Sequence, residues 1–348
     1  MKKIVAVDLF CGIGGLTYGI KKAGIEVIAG IDIDETCRYA YEVNNHSIFI
    51  NKSVTEITKN EINSLFGEKN IKLLMGCAPC QPFSNYRKDK KNSNKHKDWD
   101  LLNEFLRIIK ISNPEIISME NVPALQKENI FVKFYTSLKD MGYYVNYDVH
   151  NAENYGVPQR RKRLLLLASK FGEINFLKKD IKKVTVREAI KNLFPIKAGE
   201  ISKKDFIHRA SKLSDLNLQR IRNSIPGKTW ELWPENIKPN CYKKKTGLTY
   251  KSVFGRMKWD DVAPTLTTQF YNYGTGRYGH PEQDRAISIR EGAILQSFPK
   301  NYKFVEHEKN FKITEVARHI GNAVPPKLAE YIAQTIINHL YERGILNE

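Results

Sequence analysis

"VDLFCGIGGLTYG", residues 7 to 19, leaves a β-branched strand at Asp8, turns through Gly12, Gly14 and Gly15, and opens a helix-forming segment. Glycine lets the backbone take φ > 0 and lets a ligand come close, so this stretch predicts a ligand-binding turn at the carboxyl end of a parallel strand. The next strand, in "EVIAGIDID", ends in Asp32, 20 residues after Gly12, where a carboxylate can accept from both hydroxyls of a ribose. Together they point to an adenosine-type cofactor. Thr17 stands where the dinucleotide fingerprint G-x-G-x-x-G has its third glycine. That disfavours a pyrophosphate-bridged cofactor such as NAD and favours one without a pyrophosphate, with an NAD-linked oxidoreductase kept as the generic competing reading.

Outward from this turn, short apolar runs alternate with segments of helical period: "KIVAVDLF", "LTYGIKKAG", "EVIAGIDID", "ETCRYAYEVN", "IKLLMGC", "DLLNEFLRIIKI", "EIISMEN" and "FVKFYTSLKDMG". The alternation predicts an α/β fold with a doubly wound, mostly parallel Rossmann-like sheet. "YYVNYDVHNAENYGVPQRRKRLLLLAS" adds an edge hairpin or two further strands. Between Lys170 and Arg285 the periodicity weakens and basic residues outnumber acidic ones two to one. Trp230, Trp233 and Trp259 lie there too, so the chain is expected to divide into 1–175, a smaller basic and aromatic module over 176–285, and a return segment over 286–348 that completes the first module. "KLAEYIAQTIINHLYERG" reads as a closing helix, with Pro326 before it and Gly344 after its last turn, packed on the first module.

The 348 residues carry a net charge of +18, a field that attracts polyanions, with nucleic acid first among them. Five sparse cysteines, no cleavable leader and no apolar run near the roughly 20 residues that cross a bilayer predict a soluble cytoplasmic protein without membrane contact.

"GCAPCQPFSNYRKDKKNSNKHKDWD", residues 76 to 100, raises the question of its C-x-x-C. A zinc site needs a second pair of ligands, and the histidines show no such spacing, so no metal is expected. A thioredoxin-like pair starts a helix, whereas here Cys77 closes a strand and Cys80 enters a loop. What remains is one nucleophile, Cys80, on a turn stiffened by Pro79 and Pro82. Glu120 ends the strand in "SMENVP", and Arg161 and Arg163 precede the strand in "YGVPQRRKRLLLLAS". In a parallel sheet these ends are expected to converge with Asp8, Asp32 and Cys80 on one edge.

These residues resemble the DNA cytosine-5 methyltransferase family of bacterial restriction-modification systems, block by block and in order: "DLFCGIGG", "GCAPCQPFS", "MENV", "QRRKR", "REGAILQSFP" and "GNAVPP", spanning residues 8 to 326. The resemblance implies methyl transfer from S-adenosylmethionine, with S-adenosylhomocysteine as product, to carbon 5 of a cytosine flipped out of duplex DNA. Cys80 would add to carbon 6, Glu120 would donate to N3, Arg163 would bond O2 and steer Glu120, and Arg161 would sit on the nearby backbone or base. Phe10, Gly12, Ile13, Gly14, Gly15, Asp32, Ile33, Val54, Pro79 and Asn322 would hold the cofactor. Gln81, Ser84, Arg87 and Lys88, the latter two in a basic loop that would clamp on phosphates, would contact DNA together with Thr265 and Leu266. The module over 176–285 would recognise the target sequence. One departure is Ser53, which stands where the family has an acidic acceptor for the adenine amino group. The chain is expected to act as a monomer, with a cognate restriction endonuclease of the same site as its candidate partner; a tRNA cytosine-5 methyltransferase and a catalytically idle DNA-binding module are the alternatives.

Overall fold

The computed structural model describes residues 3–67, 70–79, 100–179, 181–243, 247 and 251–346. Cys80, Gln81, Ser84, Arg87 and Lys88, with the rest of the basic loop, lie outside the described residues.

The chain divides into two compact units: residues 1–155, 162–181 and 323–348 form the first, and 156–161 with 182–322 the second. The contacts therefore cut the chain at other positions than the composition shift does. Residues 162–181 stay with the first unit because they supply its last strand, and 286–322 go with the second.

The first unit is built on β1 (Ile4–Leu9), α1 (Gly15–Lys22), β2 (Glu26–Asp32), α2 (Arg38–Asn45), β3 (Ile48–Asn51), α3 (Lys59–Phe66), β4 (Ile71–Gly76), α4 (Asp100–Ser112), β5 (Ile116–Asn121), α5 (Asn129–Asp140), β6 (Tyr144–Asn151) and β7 (Lys162–Ser169). Its seven-stranded sheet has the order β3-β2-β1-β4-β5-β7-β6, parallel from β3 to β5, with β7 antiparallel to both its neighbours. The chain leaves β1 to one side for β2 and returns to its other side for β4, which puts the switch point of the doubly wound sheet beside β1.

Every residue of β1, "IVAVDL", is buried, as expected of a strand covered on both faces. Val5, Val7 and Leu9 pack with Leu74, Phe105, Ile117 and Phe134 beneath α3, α4 and α5. Asp8 points to the opposite face, where α1 lies. The closing helix, Pro326–Glu342, packs on α1 at Gly19, where a Cβ would stand 2.1 Å from the Pro326 carbonyl oxygen and 2.5 Å from the Ala329 Cβ. No helix among the described residues is long and apolar enough to cross a membrane.

The edge hairpin is present, but its strand direction corrects the reasoning that placed Arg163. The start of a parallel strand lies at the edge opposite its neighbours' ends. Arg163 nevertheless falls beside the end of β5 because β7 runs antiparallel, pairing Leu164 with Asn121.

The second unit holds a short hairpin (Ile201–Ser202 with Asp205–Arg209), the helices Val186–Ile190, Asp215–Arg222, Ile289–Leu295 and Ile313–Asn322, and an aromatic core around Trp230, Trp233, Tyr273 and Ile221.

Candidate active site

The glycine turn begins with Phe10 at φ 58°, continues through Gly12 at φ 50°, and reaches Gly14 at φ 82° as the cap of α1. The Gly12 amide donates to Asp32 Oδ2 at 2.8 Å, and the Asp34 amide donates to the other oxygen at 2.9 Å. The acidic end of β2 thus braces the turn that follows β1. Nothing stands within 4 Å of a Cβ built on Gly12, so the turn faces open space. Ile33, the next side chain, is 75% exposed beside Asp32, while Val54 is buried and Pro79 half-buried. An exposed aliphatic surface next to a carboxylate and a glycine cradle is what an adenosine group needs: an apolar wall for its ring and an acceptor for its hydroxyls.

Behind the turn, Asp8 accepts from Thr17 Oγ1 at 2.7 Å, and Thr17 Oγ1 lies 3.1 Å from the Tyr41 hydroxyl. Asp8 Oδ1 has no hydrogen-bond partner. Burial pushes the acid up to about 7 despite the Thr17 bond, and nearby Asp32 adds to the rise. Thr17, which breaks the dinucleotide fingerprint, is the residue that satisfies half of this carboxyl group. Ser53 is engaged locally, its Oγ accepting from the Thr55 amide at 3.3 Å and lying 2.7 Å from Thr55 Oγ1.

Two strands from β1 along the same edge, on β5, Glu120 is only 3% exposed. Arg163 Nε donates to its Oε1 at 2.8 Å, and Cys77 Sγ donates to its Oε2 at 2.7 Å. Asn121 Nδ2 donates to the Ala78 carbonyl at 3.1 Å and so fixes the chain as it leaves β4. The register pairs Gly76 with Met119, which sets Cys77 beside Glu120. The Cys77 contact joins residues 43 apart, and no local sequence pattern signals it.

The block "QRRKR" splits into two jobs. Lys162 and Arg163 open β7 in the first unit, whereas Gln159, Arg160 and Arg161 belong to the second. There Arg161, 2% exposed, donates to the carbonyls of Leu266 at 3.1 Å and Gly321 at 2.9 Å. Gln159 Oε1 accepts from the Leu266 amide at 2.9 Å, and Thr265 Oγ1 donates to the Arg160 carbonyl at 2.6 Å. The Thr265-Leu266 element is therefore held in place by this segment, with Leu266 buried. Asn322 is exposed at the end of the helix Ile313–Asn322.

The "REGAILQSFP" helix is anchored rather than armed. Arg285 Nη1 and Nη2 each donate to Glu291 at 2.7 Å, and the Ser288 amide donates to it at 2.7 Å, with both charged side chains almost fully buried. Burial alone would raise Glu291, but the Arg285 bonds and charge prevail and hold it at about 2.

A doubly wound sheet with an antiparallel strand beside its edge strand, a glycine turn and an acidic residue at neighbouring strand ends, and a gripped glutamate on the same edge define a Rossmann-like methyltransferase. The chain matches the family model described as C-5 cytosine-specific DNA methylase over residues 4–338. It is 48% identical to the Type II methylase M.HgiDII of Herpetosiphon aurantiacus over 97% of each chain. It is 31% identical to the Type II methyltransferase M1.BsuMI of Bacillus subtilis, covering 95% of this chain and 80% of that one. A prophage-encoded chain from E. coli shares the fold with a TM-score of 0.75 at 22% identity, covering 97% of this chain and all of the other. The chain belongs to the C-5 cytosine-specific DNA methylase family, and it is a DNA (cytosine-5)-methyltransferase.

Proposed function

We propose that the protein methylates carbon 5 of one cytosine within a short duplex DNA sequence, through a covalent bond between Cys80 and carbon 6, using S-adenosylmethionine. The observation that carries this reading is Glu120: a buried carboxyl group at a strand end, held on both oxygens, on the sheet edge that also bears the glycine turn and Asp32.

When bound, S-adenosylmethionine supplies an electrophilic methyl group. Gly12 would give it room on the turn that Gly14 and Gly15 complete, Asp32 would accept from its ribose hydroxyls, and Phe10, Ile13, Ile33 and Val54 would give apolar surface; Pro79 and Asn322 would complete the set. Carbon 5 of cytosine is a poor nucleophile until a thiolate adds to carbon 6 and turns the ring into an enamine-like species. Cys80 makes that bond. Glu120 donates to N3 as charge develops there, and Arg163 keeps the carboxyl aimed at the ring while reaching O2. Loss of the carbon 5 proton then lets Cys80 leave with its electron pair.

The base must first leave the duplex, which costs a few kcal/mol. Gln81, Ser84, Arg87 and Lys88 would contact the DNA around it, and Thr265 and Leu266 would meet the target base. Arg161 acts by fixing Leu266 rather than by touching the base. The second unit reads the sequence, and the net charge of +18 draws the protein to DNA. The similarity to Type II methylases supports a role beside a restriction endonuclease of the same specificity.

The test is methyl transfer from labelled S-adenosylmethionine to a duplex plasmid library and to total tRNA, followed by bisulfite sequencing of the plasmid. The reading predicts 5-methylcytosine at one recurrent short DNA site. Label on tRNA alone would defeat it.

A further inference from the structure

Cys77 sits three residues before the nucleophile, and strand-end packing is the role its position suggests. Its sulfur instead stands 2.7 Å from Glu120 Oε2, on the oxygen that Arg163 does not hold. A sulfur and a carboxyl oxygen this close attract only if a proton lies between them, since a thiolate would be repelled. The group is therefore a thiol donating to Glu120.

We propose that Cys77 is a positioning residue for methyl transfer: its S–H and the Arg163 Nε–H grip the two oxygens of Glu120 and fix the plane of the carboxyl group that serves the base. This rests on the reading of Glu120 as the group that donates to N3. The last torsion of a glutamate is soft, so a single contact leaves the carboxyl free to turn about it. Contacts on both oxygens remove that freedom.

The chemistry of the second donor matters. A lysine or arginine at this place would add a second positive charge to that of Arg163, whereas a thiol is a weak, neutral donor that orients the group without adding charge. As a donor in this bond Cys77 is engaged as a thiol, and it is the thiolate that is nucleophilic. Two cysteines three apart thus hold different offices, Cys80 attacking and Cys77 aiming the acid.

The experiment compares the full chain with Cys77→Ala, Cys77→Ser and Glu120→Gln in single-turnover methyl transfer to duplex DNA carrying the target site. Rates are expressed per cofactor-binding site, counted by titration with S-adenosylhomocysteine, so that misfolded protein does not enter. Loss of one weak hydrogen bond to an acidic group predicts a rate about tenfold lower in Cys77→Ala. The KM values for DNA and cofactor should stay within about twofold, because uniform binding is untouched. Cys77→Ser, which keeps a donor, should recover most of the rate. A wild-type rate in Cys77→Ala alongside an impaired Glu120→Gln overturns this inference and leaves the reading of Glu120 standing, as does a Cys77→Ser no better than Cys77→Ala. A wild-type rate in Glu120→Gln overturns both.

Discussion

Replacing Arg285 by methionine should unfold the second unit far more readily than the loss of one surface charge would. Arg285 is fully buried, and its guanidinium also donates to the Ile196 carbonyl at 2.9 Å and the Ala286 carbonyl at 3.1 Å. Methionine fills much of the space but leaves Glu291 charged, buried and bound only by the Ser288 amide, with His280 3.7 Å away. Burial holds His280 down at about 4, so at neutral pH it brings no charge to replace the arginine. Breaking a buried pair from one side costs about 3–5 kcal/mol, a large part of the roughly 5–15 kcal/mol by which a domain is stable. Urea unfolding followed by the fluorescence of the buried Trp230 and Trp233, which lie in the same unit, reads this directly. Unpaired, Glu291 would bind its proton more tightly folded than unfolded, so the deficit should shrink as the pH is lowered from 7 toward 5. The double variant Arg285→Met with Glu291→Gln should regain most of the loss, because it leaves no buried charge. A single variant within about 1 kcal/mol of wild type, the ordinary range for a change without such a mechanism, would refute the reasoning; so would a double variant no better than the single.

Three further outcomes follow from the first unit. Asp8 holds its proton up to about 7 when folded, above its unfolded value of 3.8, so its own contribution to stability is full below 3.8 and is lost as the pH rises to 7; Asp8→Asn should flatten that part of the slope in melting temperature against pH. Gly19→Val should cost at least about 1–3 kcal/mol by thermal or urea unfolding, since its Cβ would overlap the backbone of the closing helix. Asp32→Ala should weaken S-adenosylhomocysteine binding by about 10- to 100-fold in calorimetry, through lost charged hydrogen bonds and a slackened glycine turn, with binding unchanged if the ribose lies elsewhere.

The parts of this molecule that were legible from its residues are those encoded locally. Asp8, the glycine turn and Asp32 announce themselves by type and spacing, and the structure joins the last two by the bond from Gly12. The closing helix was visible in its period and its flanking Pro326 and Gly344. Strand β3 was missed because four residues with Ile48 exposed are too few to show a period. The direction of β7 was hidden because alternation is the same for parallel and antiparallel strands. Composition marked a change near Lys170, yet it could not show that 286–322 go with the second unit, which depends on contacts made only on folding. At the site, Glu120 and Arg163 were marked by their blocks, while the grip of Cys77 on Glu120 and of Arg161 on Leu266 arises only on folding, across 43 and 105 residues.

The central claim is that Cys80, and not its neighbour Cys77, forms a bond to the target base. Duplex DNA with 5-fluorocytosine at the methylated position cannot lose its substituent at carbon 5, so the covalent complex should accumulate. Incubated with S-adenosylmethionine, run on a denaturing gel and mapped by peptide mass spectrometry, the wild-type protein should carry the nucleotide on Cys80; Cys77→Ser should still trap, and Cys80→Ser should not. A trapped complex that persists in Cys80→Ser, or a nucleotide mapped to Cys77, would contradict the account.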